Sequence, residues 1–479
     1  MLPDDVLLEI FDIYVDKDSN AYLDYLLFEE QLITEWITLA HVCRRWRSVV
    51  FQSPRRLNLQ VLCTHKTPAA DITDIWPPLP LFIYYSNQNY TSGVDNIIAA
   101  LGHNDRVSQI QLISLPSSQF EYVTNSAAMQ KPFPELTHLG LGRFEPDEPK
   151  LPDSFLGGSA PCLRFLELCG VSFPGLLKLL LSATHLVCLH FYNIPHSGYI
   201  PPETMVTCLS ALTSLKSLYL HFLYRRPRPV LQSRRPHPPP VTRSILPNLT
   251  KFEFKGVSEY LEEILARIDS PRLNGLNITF FNQIIFDTPQ LFQFVSQIPT
   301  LGALEKGYIS FDSDAAFVGF TTQTSTSDQY ELSMRIQCTT SEWQLSSLEQ
   351  VCISSLPLVS TLEDLYIEDS FLRLRWQDDV ENTQYLELLH PFAAVKNLYL
   401  SKEFVPRVAA ALQELVGGRT TEVLPALGNM FFEEFQPSVP LHEGIEKFVA
   451  SRRLTGHPVA VSRWDRFNRF GIGEALGDL

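Results

Sequence analysis

The sequence predicts an α/β protein: a short helical module followed by a repeat array built on a parallel sheet. Three observations lead there. Residues 2–53 carry apolar side chains at helical spacing between a proline start and a Ser-Pro stop. From about residue 57 the phrase L-x-x-L-x-L returns again and again. Between its copies lie further apolar residues at helical spacing. These place a helical module at 1–56, a solenoid with a curved parallel sheet and outer helices at 57–440, and a capping segment at 441–479.

The module begins at Leu2-Pro3-Asp4-Asp5. Pro3 has a fixed φ and no N–H to leave unbonded, which suits a first helical position. Asp4 and Asp5 put negative charge at the positive end of the helix dipole. Leu7, Ile10, Phe11 and Tyr14 then fall on one face. A second helical stripe runs through Trp36, Leu39, Ala40, Cys43 and Val50, widened by Val42 and Trp46, until Ser53-Pro54 stops it. A segment of about 50 residues is near the lower limit for folding alone. Its apolar face therefore docks elsewhere, either as a cap on the rest of the chain or on a partner.

The clearest repeat phrases start at Val107, Leu136, Leu163, Leu186, Leu215, Leu249 and Leu273, and later at Leu362, Val395 and Leu427. Looser copies are Leu57/Leu59/Val61 and Leu79/Leu81/Ile83. The consecutive spacings from 107 are 29, 27, 23, 29, 34 and 24 residues, and the last two are 33 and 32. They lie near or just beyond the leucine-rich-repeat range of about 20–29. A strand with alternate residues pointing inward supplies the L-x-L pair, and a return arm must cover that inward face. Strands are expected at 107–112, 136–141, 163–168, 186–191, 215–220, 249–254, 273–278, 362–367, 395–400 and 427–432, all parallel in one sheet.

The return arms read as helices. Ile97, Ile98 and Leu101 form one face; Leu261, Ile264, Leu265 and Ile268 form another after Ser258, read as an N-cap. Leu291, Phe294, Val295 and Ile298 follow Thr288-Pro289; Leu345, Leu348, Val351 and Cys352 make a fourth face. Val408, Ala411, Leu412 and Leu415 make a fifth, ended by Gly417-Gly418. Between 300 and 340 the phrase fades. Residues 308–311 and 332–336 look like strands joined by the polar loop 321–327. Leu441–Leu454 and then Val459-Ala460-Val461 with Trp464 read as a closing helix and strand, because a terminal repeat must hide an open core edge.

One stretch breaks the pattern. Residues 225–247 carry Arg225, Arg226, Arg228, Arg234, Arg235 and Arg243 among prolines, without a single acid. Such proline density favours extended polyproline II. It reads as a solvated loop insertion, or as a basic patch for an acidic or phosphorylated partner.

Composition narrows the function classes. The 479 residues are 45% hydrophobic and 19% charged, as in a globular chain. Net charge is −15, from 38 basic and 53 acidic residues, which argues against a nucleic-acid partner. The richest apolar run, Leu176 to Phe191, is broken by Lys178, His185 and His190, so no membrane span is expected. The acidic start inside a helix leaves no room for a signal peptide. Eight scattered cysteines without a C-x-x-C pair read as reduced thiols of the cytosol or nucleus. No phosphate-binding loop, H-E-x-x-H or G-x-S-x-G occurs. Gly140-Leu141-Gly142 opens a dinucleotide fingerprint that Glu145 breaks. No cofactor, metal or catalytic residue is expected.

The opening Leu-Pro-Asp with Leu7-Leu8 and Ile10-Phe11, answered by Leu39…Val42-Cys43-Arg44-Arg45-Trp46-Arg47, resembles an F-box over roughly the first 56 residues. More residues separate Phe11 from Leu39 than an F-box usually carries, and Asp16–Asn20 read as an insertion after the first helix. An F-box before a repeat array is similar to F-box proteins of the leucine-rich-repeat type, and Trp76-Pro77-Pro78-Leu79-Pro80 looks like the set of such proteins in mushroom-forming fungi. The resemblance implies a non-catalytic substrate receptor of a Skp–cullin–F-box ubiquitin ligase. The Skp-type adaptor, and through it cullin, would meet Leu2, Pro3, Leu7, Ile10, Phe11, Leu39, Val42, Cys43 and Trp46, and the array would hold a target protein. An F-box scaffold without cullin, or an enzyme on a solenoid frame, are the rival readings.

Overall fold

A computed structural model describes residues 2–15, 35–53, 57, 59–64, 79–86, 94–143, 148–223, 243–281, 288–302, 304–322, 330–338, 341–355, 357–369, 382–433 and 442–464. The chain folds as mixed α and β and divides into two compact units, Met1–Ile200 with Ala211–Leu215, and Pro201–Ser210 with Lys216–Leu479. The helical segment is not a unit of its own; it belongs with the first strands.

The first unit starts with helices α1 (Asp4–Val15), α2 (Glu35–Val42) and α3 (Arg44–Gln52). Strands and helices then alternate: β1 (Val61–Cys63), β2 (Leu81–Ser86), α4 (Asp95–Leu101), β3 (Val107–Ile113), α5 (Ser117–Thr124), β4 (His138–Gly142), β5 (Phe165–Cys169), α6 (Leu176–Ser182) and β6 (Cys188–Ile194). The six strands lie side by side in chain order, every pair parallel. Parallel neighbours need a crossover of about a dozen residues or more, which the return arms supply.

Apart from β3, which begins at Val107 itself, each strand begins about two residues later than its phrase. The first apolar residue of the phrase is core, but it sits in a turn, with its N–H bonded to the carbonyl three residues back. Leu136 bonds Phe133, Leu163 bonds Ala160 and Leu186 bonds Ala183, at 3.1–3.3 Å. The same turn precedes the later strands at Leu215, Leu249, Leu273, Val395 and Leu427. The second and third apolar residues, such as Leu139 and Leu141 or Leu166 and Leu168, are the buried face of the strand itself. The phrase thus encodes a turn and a strand together.

The second unit runs α7 (Pro202–Ala211), β7 (Ser217–Phe222), β8 (Ser244–Ile245), β9 (Lys251–Gly256), α8 (Ser258–Leu265), β10 (Ile268–Asp269), β11 (Gly275–Phe281) and α9 (Pro289–Ser296). It continues with β12 (Lys306–Phe311), β13 (Ala315–Thr321), β14 (Leu332–Gln337), α10 (Ser341–Ser355), β15 (Asp364–Asp369), α11 (Asn382–Leu389), β16 (Asn397–Leu400), α12 (Val405–Gln413), β17 (Asn429–Glu433), α13 (Glu443–Leu454) and β18 (Ala460–Trp464). Its main strands are ordered β7-β9-β11-β14-β13-β12-β15-β16-β17-β18, while β8 and β10 form a separate parallel pair.

Two steps in this order are antiparallel, β14 with β13 and β13 with β12, against the all-parallel expectation. Only residues 312–314 join β12 to β13, closed by the Asp312 N–H on the Ala315 carbonyl at 2.8 Å. Three residues cannot make a crossover, so the chain must turn back. The two reversals cancel, and β15 resumes parallel pairing on β12. Most of the polar loop 321–327 lies outside the described residues.

The helices match the expected return arms with two changes: Ile268, expected on the face of α8, lies in β10 beyond the helix, and the cap of α8 differs. Val257, not Ser258, is the N-cap of α8, and Ser258 is the first residue of the helix. The useful cap lies one repeat on. The Glu262 carboxylate accepts from the backbone N–H groups of Gln290 and Leu291 at 2.9 and 2.8 Å, holding the start of α9. At the chain's end α13 and β18 close the unit as expected, β18 pairing in parallel with β17. No described helix is long and apolar enough to cross a membrane.

Candidate functional site

In the helical module, α1 turns Leu7 and Phe11 inward, and the Phe11 ring meets Trp46 edge-on at 4.8 Å. Helix α2 contributes Trp36, Leu39 and Ala40 to the same interior. Arg45 ties the two ends together: its guanidinium donates to Asp4 Oδ1 at 2.6 and 3.0 Å and to the Leu2 carbonyl. Arg47 donates to the Ala40 carbonyl at 2.9 Å. Cys43 caps α3, its sulfur accepting the Trp46 N–H at 3.4 Å.

The nine residues assigned to the adaptor therefore separate. Leu7, Phe11 and Leu39 are interior and Trp46 is half-buried, while Leu2, Pro3, Ile10, Val42 and Cys43 are exposed. Sequence reading missed Val6 and Ile13, the latter 68% exposed. With Ile10 they stand at i, i+4 and i+7, a second apolar stripe on a helix that the Leu7/Phe11 stripe alone would anchor. That spacing was the available signal.

In each unit the strands also present a face of alternate residues that the leucine phrase does not use. In the first unit the register sets Gln109, His138 and Phe165 in one row and Gln111, Gly140 and Glu167 in the next. These six residues line a shallow cleft. The His138 and Phe165 rings stack at 5.8 Å. Burial, helped by Arg164, lowers the imidazole pKa to about 4, and burial raises that of Glu167.

In the second unit the equivalent face is an aromatic ladder. Tyr308, Tyr366, Tyr399 and Phe431 stack on successive strands at 4.6, 4.1 and 4.5 Å, with Trp464 leaning on Tyr366 and Tyr399. A polar ladder runs beside it. The Asn429 side-chain amide donates to Asn397 at 2.8 Å, and that of Asn397 donates to Asp364 at 2.6 Å. Burial, with its neighbours' charge, holds the Tyr366 hydroxyl protonated far into alkali.

Of the arginine-rich loop, Arg225, Arg226, Arg228, Arg234 and Arg235 lie outside the described residues, as do Asp16–Asn20 and residues 76–78. Arg243 is committed inside the unit: it donates to Asp269 Oδ1 at 3.0 Å and to Gln297 Oε1 at 2.9 Å. Among the described residues, no three His, Cys, Asp or Glu are grouped to hold a metal ion. All eight cysteines are free thiols, and burial raises the pKa of Cys63, Cys169, Cys208 and Cys338 to about 11 and of Cys352 to about 12. A scan against protein-family models and a search of curated proteins each returned no match.

Proposed function

We propose that the chain is the substrate-recognition subunit of a Skp–cullin–F-box ubiquitin ligase, acting in the cytoplasm or nucleus. In this reading residues 1–56 are the F-box and the alternating strands and helices are a leucine-rich-repeat-like solenoid that holds a target protein. The chain brings no chemistry of its own; it positions the target for enzymes carried by cullin.

One observation carries the reading. A module that already buries Leu7, Phe11, Trp36 and Leu39 still exposes Leu2, Val6, Ile10, Ile13, Tyr14 and Val42. The other exposed large apolar residues described are spread from Tyr122 to Leu454. Exposed apolar surface grouped in one module marks interaction sites, and three of these residues, Leu2, Ile10 and Val42, are among those that resemble an F-box. The repeated turn-plus-strand phrase supports the solenoid half.

Affinity purification of the full chain, with identification of the proteins retained, tests both halves. A Skp-type adaptor together with cullin is the expected result. Adaptor without cullin would make the chain a scaffold, and absence of any adaptor would refute the reading.

A further inference from the structure

The cleft over Gly140 is built in a way that neither the core nor the backbone requires. Gly140 has an ordinary backbone conformation, and a Cβ added there would meet Gln111 Cγ at 3.5 Å, a normal contact. An L side chain would fit, yet the floor is left empty. Gln111 on β3 and Glu167 on β5 thus face each other across a bare strand, a gap of two strand spacings, about 9.5 Å.

The groups around that gap accept hydrogen bonds. Glu167 has no cation or donor partner among the described residues, and its only resolved influence is burial. The side-chain amides of Gln109 and Gln111 are likewise without a described partner. The tautomer of His138 follows from its neighbour. Thr137 Oγ1 lies 3.0 Å from the Ser108 carbonyl and 2.8 Å from His138 Nδ1; with the hydroxyl proton on the carbonyl, the ring donates from Nδ1. Nε2 is then a bare acceptor. Phe165 supplies an aromatic wall stacked beside it. The cation that acts on His138, Arg164, is solvent-exposed and screened.

One carboxylate, one imidazole acceptor, two amide oxygens and an aromatic wall match a flat cation with many donors. Guanidinium is that group: planar, five N–H donors, weakly hydrated and able to stack on rings. A lysine ammonium is a compact, strongly hydrated point charge and fills the same space poorly. The cleft is shallow and open, so it fits a side chain reaching in from a peptide better than a small molecule to be enclosed. The chain's net charge of −15 draws basic segments toward it.

We propose that this cleft binds the arginine side chain of a basic partner peptide, with Glu167 and His138 Nε2 as the principal acceptors and Gln109 and Gln111 completing the shell. The inference goes beyond the adaptor reading and holds whether or not residues 1–56 dock on a Skp-type protein.

The test uses the full chain and fluorescent pentapeptides Gly-Gly-X-Gly-Gly, with X arginine, lysine or citrulline, together with free argininamide. The arginine peptide is expected to bind at least about tenfold more tightly than the lysine or citrulline peptide, the range of a charge-assisted hydrogen bond. Glu167→Gln is expected to lose about tenfold or more, and Gly140→Val, which fills the floor, to lose binding while the melting curve stays that of the wild type. Equal binding of arginine and citrulline, unchanged binding in Glu167→Gln, or no binding by the wild type would overturn the proposal. Argininamide carries the same side chain and is expected to bind more weakly than the peptide; binding tighter than the arginine peptide would overturn the assignment to a peptide partner.

Discussion

The Trp36 indole N–H donates to the backbone carbonyl of Gln60 at 3.0 Å, joining the helical module to the chain just ahead of β1. Trp36 is 3% exposed and its ring meets Phe51 edge-on at 6.1 Å. Edge strands need cover, and β1 is the outermost strand of its unit. Trp36→Phe, which keeps most of the ring and removes the donor, is expected to cost about 1 kcal/mol. Trp36→Ala is expected to cost about 3–5 kcal/mol. Sequence reasoning expects the array from residue 57 to fold without the module. The joint points the other way: a chain starting at residue 57 is expected to melt below the full-length protein, and an unchanged melt would show that the helices are dispensable.

Arg452 on α13 is fully buried and donates to the backbone carbonyls of Thr420, Pro425 and Leu427 at 3.2, 3.2 and 2.8 Å. Its guanidinium ties three carbonyls of the segment before β17 to α13. Arg452→Met keeps the bulk and strands the carbonyls. The expected loss is about 3 kcal/mol by urea unfolding, and a loss below about 0.5 kcal/mol would mean that water replaces the guanidinium.

His138 sets a pH dependence. Burial and Arg164 hold its folded pKa at about 4, below the ordinary imidazole value of 6.5. Between those pH values the unfolded chain binds a proton that the folded chain refuses, so stability falls as pH drops from 6.5 toward 4 and is unaffected above that window. The full span corresponds to no more than about 3–4 kcal/mol. Glu167, raised by burial, acts in the opposite sense over its own interval. Unfolding free energies of wild type and His138→Gln, compared at pH 7 and 4.5, should differ in slope, with the variant flatter; equal slopes would contradict the buried neutral imidazole.

The arginine-rich insertion divides at Arg243. Replacing residues 226–242 with a short Gly-Ser link is expected to change stability little, because loop length enters closure entropy at only about 0.6 kcal/mol per doubling. Adding Arg243→Ala should cost about 1 kcal/mol more, since Asp269 and Gln297 lose their shared donor. Thermal melts of the two variants check this. An early melt of the first would show the loop to be structural, and identical melts would show that Arg243 contributes nothing.

Much of the fold is legible in the sequence because the core writes a repeating rule. Leu166 and Leu168 must be apolar to bury one face of β5, and Leu163 must be apolar to close the turn before it. What the rule leaves open is what the sequence hides. Strand β13, from Ala315 to Thr321, carries no leucine phrase, so the antiparallel excursion became visible only through the three-residue link before it. The outer faces are hidden for the same reason: Gln111, Gly140 and Glu167, or Tyr366 and Tyr399, occupy positions the phrase marks as free. The module shows the converse. Leu7 and Phe11 were legible as apolar, but whether they faced a partner or their own neighbours depended on how α1, α2 and α3 pack.

The most direct test is the affinity of the purified full chain for a purified Skp-type adaptor, compared with Ile10→Asp/Val42→Asp. Both positions are exposed, so the substitutions leave the interior of the module intact. Nanomolar-to-micromolar binding by the wild type and a loss of at least about thirtyfold in the variant, roughly 2 kcal/mol, is the expected result. Equal binding by the two proteins, or no binding by the wild type, would contradict the assignment of this surface to the adaptor.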